Sequence, residues 1–223
     1  MKLLEKLKTD LIVDSRDRYK EAILSLLEEN PDAVVLDVGC GDRKRLTYKA
    51  LDRIGTVRKA FGLDLEHKKE DRIEVRYCDL DEGLLQPFPF NPGFDVIIAS
   101  QLIEHLRNTD NLIKEMHRVL KPSGYAVVST PNLASWHNLV YLLLGKQPDV
   151  ATVSDELYPW KEKPGHCRIF TATELIKLLE FHGFVVEEVI GTSYYPLMGR
   201  LANRLARRDW RHAGNITVKV RKR

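Results

Sequence analysis

The chain has 223 residues, a length that suits one α/β domain with a sizeable buried core. Its 43% hydrophobic and 30% charged residues and its formal net charge of +3 are ordinary for a globular protein. Three cysteines, Cys40, Cys78 and Cys167, show neither metal-site spacing nor an even disulfide set, so we expect free thiols and a cytoplasmic location. No apolar run approaches 18 residues, and Glu5 and Asp10 interrupt the N-terminal pattern, so we expect neither a membrane span nor a signal peptide.

Apolar residues at helical spacing predict a helix over residues 2–13 and a second over residues 16–29, ended by Asn30 and Pro31. Next comes the apolar run from Ala33 to Val38, which predicts a buried parallel strand. Gly39 and Gly41 follow it, and glycines allow the backbone to approach a ligand closely. This sequence therefore predicts a ligand-binding loop.

The loop differs from the dinucleotide-binding motif because Lys44 stands where that motif has its third glycine. Asp37 lies directly before the loop, and its carboxylate would repel a pyrophosphate. It suits a ligand with an amino group or a sulfonium instead. A nucleoside with a cationic tail therefore fits this loop better than NAD does.

The remaining predicted elements alternate in the manner of an α/β fold, with a helix over residues 43–54 and another over 110–120. Thr171 and Glu174 form a capping-box pattern for a helix over 172–181. The predicted strands after the first cover residues 60–65, 73–78, 94–100, 125–130, 184–190 and 216–220.

An insertion without a sheet pattern spans residues 132–170. It begins with a segment from Trp136 to Leu144 that is apolar nearly all round when drawn as a helix, and it continues through Tyr158, Pro159 and Trp160. A helix of this kind needs an apolar partner, which is a substrate that it caps, a second copy of the chain or a membrane surface.

The motif from Leu36 to Gly41, together with LIEHL (102–106), HRVLKPSG (117–124) and VVSTPN (127–132), resembles class I S-adenosylmethionine-dependent methyltransferases. The similarity extends to the ubiquinone-pathway O-methyltransferases. It implies an α/β Rossmann-like fold, with seven mostly parallel strands, the last antiparallel, and helices on both faces. It also implies a single methyltransferase domain over 1–223, in which helices 1–30 lie over the cofactor site and the insertion 132–170 caps the substrate. Packing of the first helices against the sheet edge is the alternative.

The cofactor implied by the resemblance is S-adenosyl-L-methionine. Asp64 ends the second strand, where α/β nucleotide folds place a carboxylate on the ribose hydroxyls; a helix N-cap is the alternative. By resemblance Asp79 binds the adenine amino group and Leu80 covers the ring, while capping by Asp79 or Asp81 is the alternative. The predicted cofactor-binding residues are Asp37, Gly39, Cys40, Gly41, Asp64, Leu65, Asp79, Leu80, Ser100 and Gln101.

Two histidines are the predicted catalytic residues, because a hydroxyl acceptor needs a base near neutral pH. His105 follows the fourth strand, and His166 leaves the insertion. A more distant resemblance, to small-RNA 2′-O-methyltransferases, aligns Gln101, Glu104, His105 and His166 with a metal-binding set. An amide replaces the first acid of that set, so our prediction includes no metal, and metal-dependent catalysis is kept as an alternative.

The predicted function is in-line methyl transfer from S-adenosylmethionine to a small or lipid-linked acceptor, with oxygen as the favoured nucleophile. Nine basic residues against one acid between Arg200 and Arg223 leave a nucleic-acid acceptor possible but not favoured. A homodimer through the Leu139 to Leu144 face is possible. The alternative from another class is a non-catalytic protein that binds the cofactor as a sensor or partner subunit.

Overall fold

The computed structural model describes residues 18–41, 45–65, 71–81, 93–148, 150–151, 153–154, 156, 165–197 and 199–223. The predicted helix over 2–13 and the stretch 158–160 lie outside the described residues.

A single seven-stranded sheet forms the centre of the molecule, in the order β3-β2-β1-β4-β5-β7-β6. β7 runs antiparallel to both β5 and β6, and the other neighbouring strands are parallel. The predicted strand count and the antiparallel last strand are confirmed. The strands are β1 (Val34–Val38), β2 (Lys59–Asp64), β3 (Glu74–Tyr77), β4 (Phe94–Ser100), β5 (Leu120–Pro131), β6 (Phe184–Thr192) and β7 (Asn215–Lys222).

Helices accompany the strands, beginning with α1, whose described part covers residues 18–26. The others are α2 (Arg45–Ile54), α3 (Thr109–Val119), α4 (Trp136–Leu143), α5 (Ala172–Phe181) and α6 (Gly199–Arg208). Short 3₁₀ helices cover Ile103–His105 and Trp210–His212. The Thr171 hydroxyl accepts a hydrogen bond from the Glu174 amide at 3.3 Å, so the predicted N-cap of α5 is confirmed.

The sheet separates two apolar layers because alternate side chains of a strand point to opposite faces. Leu36 and Val38 of β1 lie in one layer, and Val35 lies in the other. The described part of α1 packs in the second layer through Ile23 and its neighbours. Residues 1–17 lie outside the described residues, so the proposed roof over the cofactor site stays a prediction.

β5 begins earlier than its sequence indicates. Leu120 already pairs with Phe94 of β4, and a register shift follows before regular pairing resumes at Tyr125. Lys121 supports this early start through an ion pair of 2.7 Å with Asp95. The sequence Pro-Ser-Gly at 122–124 reads as a turn, but here it lies within the strand, at the irregularity.

The two ends of the insertion lie side by side. Asn132 forms a parallel bridge with Phe170, and the Leu133 amide donates to the Phe170 carbonyl at 2.8 Å. The Asn132 side-chain nitrogen Nδ2 also donates to the carbonyls of Arg211 and Ala213, each at 2.8 Å. The insertion therefore leaves and rejoins the sheet at one fixed point.

Two further expectations can be compared with the described residues. Cys40, Cys78 and Cys167 are free thiols, as predicted. Among the described residues, none of the helices has both the length and the apolar character needed to cross a membrane.

Candidate functional site

The glycine loop after β1 has the backbone conformation that only glycine adopts readily. Gly39 has a φ of 72° and Gly41 a φ of 58°. A Cβ atom at Gly39 would lie 2.7 Å from Leu102 Cδ1, so a side chain here would have to displace that of Leu102. The amides of Gly39 and Cys40 donate to the Leu63 carbonyl at 2.8 and 3.2 Å. These hydrogen bonds hold the loop against the end of β2, at the carboxyl edge of the sheet.

Two carboxylates flank this loop. The Gly41 amide donates to Asp64 Oδ2 at 2.6 Å, so the predicted ribose-binding acid also fastens the loop to the end of β2. Asp37 is buried, and the Thr47 hydroxyl donates to its Oδ2. Burial raises the pKa of Asp37 to about 7, the Thr47 hydrogen bond opposes this rise, and the charge of Asp64 adds to it. A cationic group beside Asp37 would favour its ionised form.

The end of β3 carries the residues predicted to bind the adenine. Asp79 is partly exposed and accepts a hydrogen bond from the Asp81 amide at 3.0 Å, a local turn contact. Leu80 is buried in the core, whereas Leu65 at the end of β2 is exposed. Asp81 accepts from the amides of Arg107 and Asn108 at 2.6 and 3.0 Å. It thus ties the end of β3 to the loop before α3, a role that the sequence did not indicate.

At the end of β4, Gln101 adopts a φ of 51°, which is uncommon for a residue with a side chain. Its amide nitrogen donates to the Ser129 carbonyl at 2.9 Å, and its side chain donates to the Ser129 hydroxyl at 3.3 Å. The Ser129 hydroxyl lies 3.5 Å from that of Ser100. Backbone strain of this kind is found at ligand-binding edges more often than elsewhere.

The two predicted catalytic histidines lie together, although they are far apart in the sequence. The rings of His105 and His166 meet edge to face with 5.0 Å between their centroids. Their proximity comes from the Glu104 carbonyl, which accepts from the amides of Cys167 and Arg168 at 2.8 and 3.0 Å. This contact draws the end of the insertion against the 3₁₀ helix that carries His105.

Glu104 is only 2% exposed, and its Oε2 accepts a hydrogen bond of 2.9 Å from the Thr130 hydroxyl. Burial raises the pKa of Glu104 to about 7, against the hydrogen bonds from its own backbone and from Thr130. Thr130 precedes Pro131 at the end of β5, and its role was not predicted. The only sequence signal for it is its place at the carboxyl end of a central strand.

His166 has a defined tautomer. Its Nδ1 lies 2.9 Å from the Val150 carbonyl oxygen, and a carbonyl only accepts, so Nδ1 carries the proton. Nε2 is then the nitrogen with the lone pair, suited to accept a proton or to bind a cation. One ligand atom each from Glu104, His105 and His166 lies within 4.8 Å of the others. One carboxylate and two imidazoles make a donor set that fits Zn²⁺ or a similar transition-metal cation.

Comparison with known proteins identifies the family to which the chain belongs. The family whose description is "Methyltransferase domain" matches residues 13–189. The chain belongs to this family of S-adenosylmethionine-dependent methyltransferases, as its motifs predicted, and its fold is the Rossmann-like fold expected from them.

Particular relatives sharpen the comparison. The chain is 32% identical over 186 residues to a probable S-adenosylmethionine-dependent methyltransferase of Mycolicibacterium smegmatis, covering 82% of this chain. It is 28% identical over 177 residues to the mitochondrial ubiquinone biosynthesis O-methyltransferase of Rattus norvegicus, covering 74% of this chain. The chain spans 61% and 48% of these two relatives.

Among solved structures, an S-adenosylmethionine dependent methyltransferase from Mesorhizobium loti is similar in fold. The superposition has a TM-score of 0.62 at 18% identity and covers 91% of this chain and 96% of the other.

Proposed function

We propose that this protein transfers the methyl group of S-adenosylmethionine to an oxygen atom of a small or lipid-linked acceptor. The observation that carries the proposal is the pair of facing histidines, His105 and His166, on the sheet edge that also carries the glycine loop. The name of the ubiquinone biosynthesis relatives supports oxygen as the nucleophile.

The cofactor fits the loop because Gly39 and Gly41 hold the backbone in the positive-φ conformation of a ligand-binding turn and because Asp37 offers a buried carboxylate for a cationic group. S-adenosylmethionine supplies, when bound, a methyl group made electrophilic by its sulfonium centre. In this proposal Asp64 holds the ribose, Asp79 the adenine amino group, and Leu65, Leu80, Ser100 and Gln101 line the pocket with the loop residues Cys40 and Gly41.

The protein's own contribution to the reaction is alignment and proton removal. The acceptor hydroxyl loses its proton to a histidine as the new C–O bond forms and the C–S bond breaks, which leaves an ether and a neutral sulfide. His166 is oriented for this step, since its protonated Nδ1 is held by the Val150 carbonyl and its Nε2 has the lone pair. The His105 ring lies edge to face against it and helps to fix its orientation.

The first experiment is isothermal titration with S-adenosylmethionine and S-adenosylhomocysteine, with NAD as the control ligand. We expect micromolar binding of the first two, no binding of NAD, and much weaker binding in Asp64→Ala. Labelled methyl transfer is then measured on hydroxyl acceptors with and without an apolar tail. Binding without turnover on any acceptor would favour a non-catalytic protein.

The histidines are tested in the same assay. We expect His166→Ala and His105→Ala to lower turnover by about 10²-fold to 10⁴-fold with little change in S-adenosylhomocysteine affinity. The matched control is His182→Ala at the end of α5, where the ring pairs with Asp110 at 2.7 Å, and it should keep its turnover. Equal losses in all three variants would contradict the assignment.

A second mechanism is favoured by the three clustered ligand atoms of Glu104, His105 and His166. In this case Glu104, His105 and His166 would hold a divalent cation, and the cation would lower the pKa of the acceptor hydroxyl in place of proton removal by a histidine. The two mechanisms separate when the protein is treated with a chelator. Loss of turnover that a divalent cation restores, together with metal bound by the wild type and not by Glu104→Ala, would establish the cation.

A further inference from the structure

Helix α4 presents large apolar side chains to solvent. Leu143 is 86% exposed and Leu144, its C-cap residue, is 64% exposed. Trp136, Val140 and Leu142 are also exposed, and Asn138 is the only buried residue of the helix. A folded protein rarely leaves such an element uncovered unless something binds to it.

The exposed surface continues from α4 onto the chain before α6. Trp136 Nε1 donates to the Tyr194 hydroxyl at 2.7 Å and to Asp209 Oδ2 at 3.2 Å. The His137 ring meets that of Tyr195, with 5.8 Å between centroids. These contacts place α4 beside residues that themselves expose apolar side chains. We define the apolar face as Trp136, Val140, Leu142, Leu143, Leu144, Tyr195, Leu197 and Leu201.

Arginines border the apolar face. Helix α6 buries Ala202 and Ala206 against the sheet, and its outer stripe carries Leu201, Arg204 and Arg208 at spacings of three and four residues. Both arginines are exposed, and within the part of the chain that the structure describes neither forms an ion pair. Arg211, in the 3₁₀ helix that follows, stacks on Trp210 at 4.3 Å and adds a further exposed guanidinium.

We propose that the apolar face docks on the surface of an anionic lipid bilayer. Its leucines enter the boundary between headgroups and acyl chains, and Arg204 and Arg208 contact the lipid phosphates. A second copy of the chain is the other occupant to test, and the choice of the bilayer rests on the exposed guanidinium groups beside the apolar side chains. The combination of an apolar centre with a basic border is typical of proteins that lie on membranes.

The position of α4 gives this docking a direction. The helix follows the carboxyl end of β5, the sheet edge that also carries the glycine loop and the two histidines. The bilayer would therefore lie on the side of the molecule from which an acceptor enters. Docking itself does not depend on the proposed function.

The test is flotation of the purified chain with vesicles of phosphatidylglycerol and, separately, of phosphatidylcholine. We expect the wild type to float with the anionic vesicles and at least tenfold less with the neutral ones. The double variant Leu143→Glu with Leu144→Glu should lose at least tenfold in binding. Phe181→Glu is the matched control, because Phe181 is 81% exposed at the far end of α5 and should bind as the wild type does.

Charge is tested by Arg204→Glu with Arg208→Glu. Each arginine near an anionic surface strengthens binding about fivefold, so the double reversal should weaken binding by at least 25-fold. Lys49→Glu on α2, whose lysine is also exposed, is the control and should have no effect. Added salt should weaken the wild type and not restore the variant.

Three outcomes would overturn the proposal. The wild type does not float with anionic vesicles, the leucine variant floats as well as Phe181→Glu, or light scattering shows a dimer that the leucine variant dissolves, in which case the face covers a second copy. Circular dichroism verifies that each variant is folded. Titration with S-adenosylhomocysteine reports on the proposed function separately, so failure of one proposal is distinguishable from failure of the other.

Discussion

The two halves of the sheet's carboxyl edge are built in different ways. On the side of β1 and β2, Gly39, Gly41 and Asp64 are held by bonds between two adjacent strands and the loop that leaves one of them. On the side of β4 and β5, Glu104 accepts a hydrogen bond from Thr130 of another strand, and the His105 ring packs against that of His166 at the end of the insertion. The first half therefore depends on backbone conformation, and the second on contacts between distant segments.

The largest effect that would test this difference comes from Gly39→Ala. The φ of 72° is strained for alanine and the new Cβ must displace the Leu102 side chain, which it meets at 2.7 Å, so we expect a loss of about 3 kcal/mol in the free energy of unfolding and loss of cofactor binding. Gly145→Ala is the control, because Gly145 has a φ of 67° with nothing within 4 Å of its Cβ. It should cost about 1 kcal/mol and leave binding intact. If urea denaturation shows equal losses of stability in the two variants, backbone strain alone accounts for the effect at Gly39 and the contact with Leu102 adds nothing.

The next effect concerns the pH dependence of stability through Asp37. Its folded pKa of about 7 lies above the ordinary 3.8, so the folded state holds more protons than the unfolded state between these values. The contribution of Asp37 to the free energy of unfolding is fully present below about pH 4. It is lost as the pH rises through 7, by about 3 kcal/mol between pH 5 and pH 8.

Asp37→Asn removes that titration and should flatten the profile of unfolding free energy measured in urea across this pH range. Asp52→Asn on the exposed side of α2 is the control and should leave the slope unchanged. A profile that is unchanged in Asp37→Asn would mean that other groups set the slope.

The smallest effect should come from Thr130→Val, which keeps the shape of the side chain and removes the donor to Glu104. Loss of one hydrogen bond to a buried carboxyl costs about 1–2 kcal/mol, and Thr130→Ser should recover most of it. Both variants should bind S-adenosylhomocysteine as the wild type does, because the contact lies in the other half of the edge. Calorimetric unfolding measures the stability and titration measures the affinity for S-adenosylhomocysteine. A loss of affinity that matches the loss of stability would show that the two halves of the edge are energetically coupled.

Sequence reasoning predicted the strand and the glycine loop on the side of β1 well, because their signals are local. A strand, an acid and two spaced glycines lie within one short stretch, and the bounds of β4 and α5 follow from their apolar patterns and from the Thr171 cap. The early start of β5 was missed because its support, the ion pair between Lys121 and Asp95, joins two strands.

The arrangement of side chains on the side of β4 and β5 was predicted only in part. His105 and His166 were chosen for their places after a strand and after the insertion, and the structure brings them together. The Thr130 hydroxyl and the contacts of Asp81 with the amides before α3 were not foreseen, since each joins residues more than 20 positions apart. Spacing along the chain carries no information about such pairs.

The bridge between Asn132 and Phe170 bears on how this protein can change during evolution. Because the chain leaves the sheet and returns at neighbouring residues, the segment between them closes a loop whose ends are already fixed by the core. Lengthening or replacing such a segment costs little, since the entropy of closure grows only slowly with length. The segment between these two residues can therefore be exchanged as a unit without any change in the pairing of the strands.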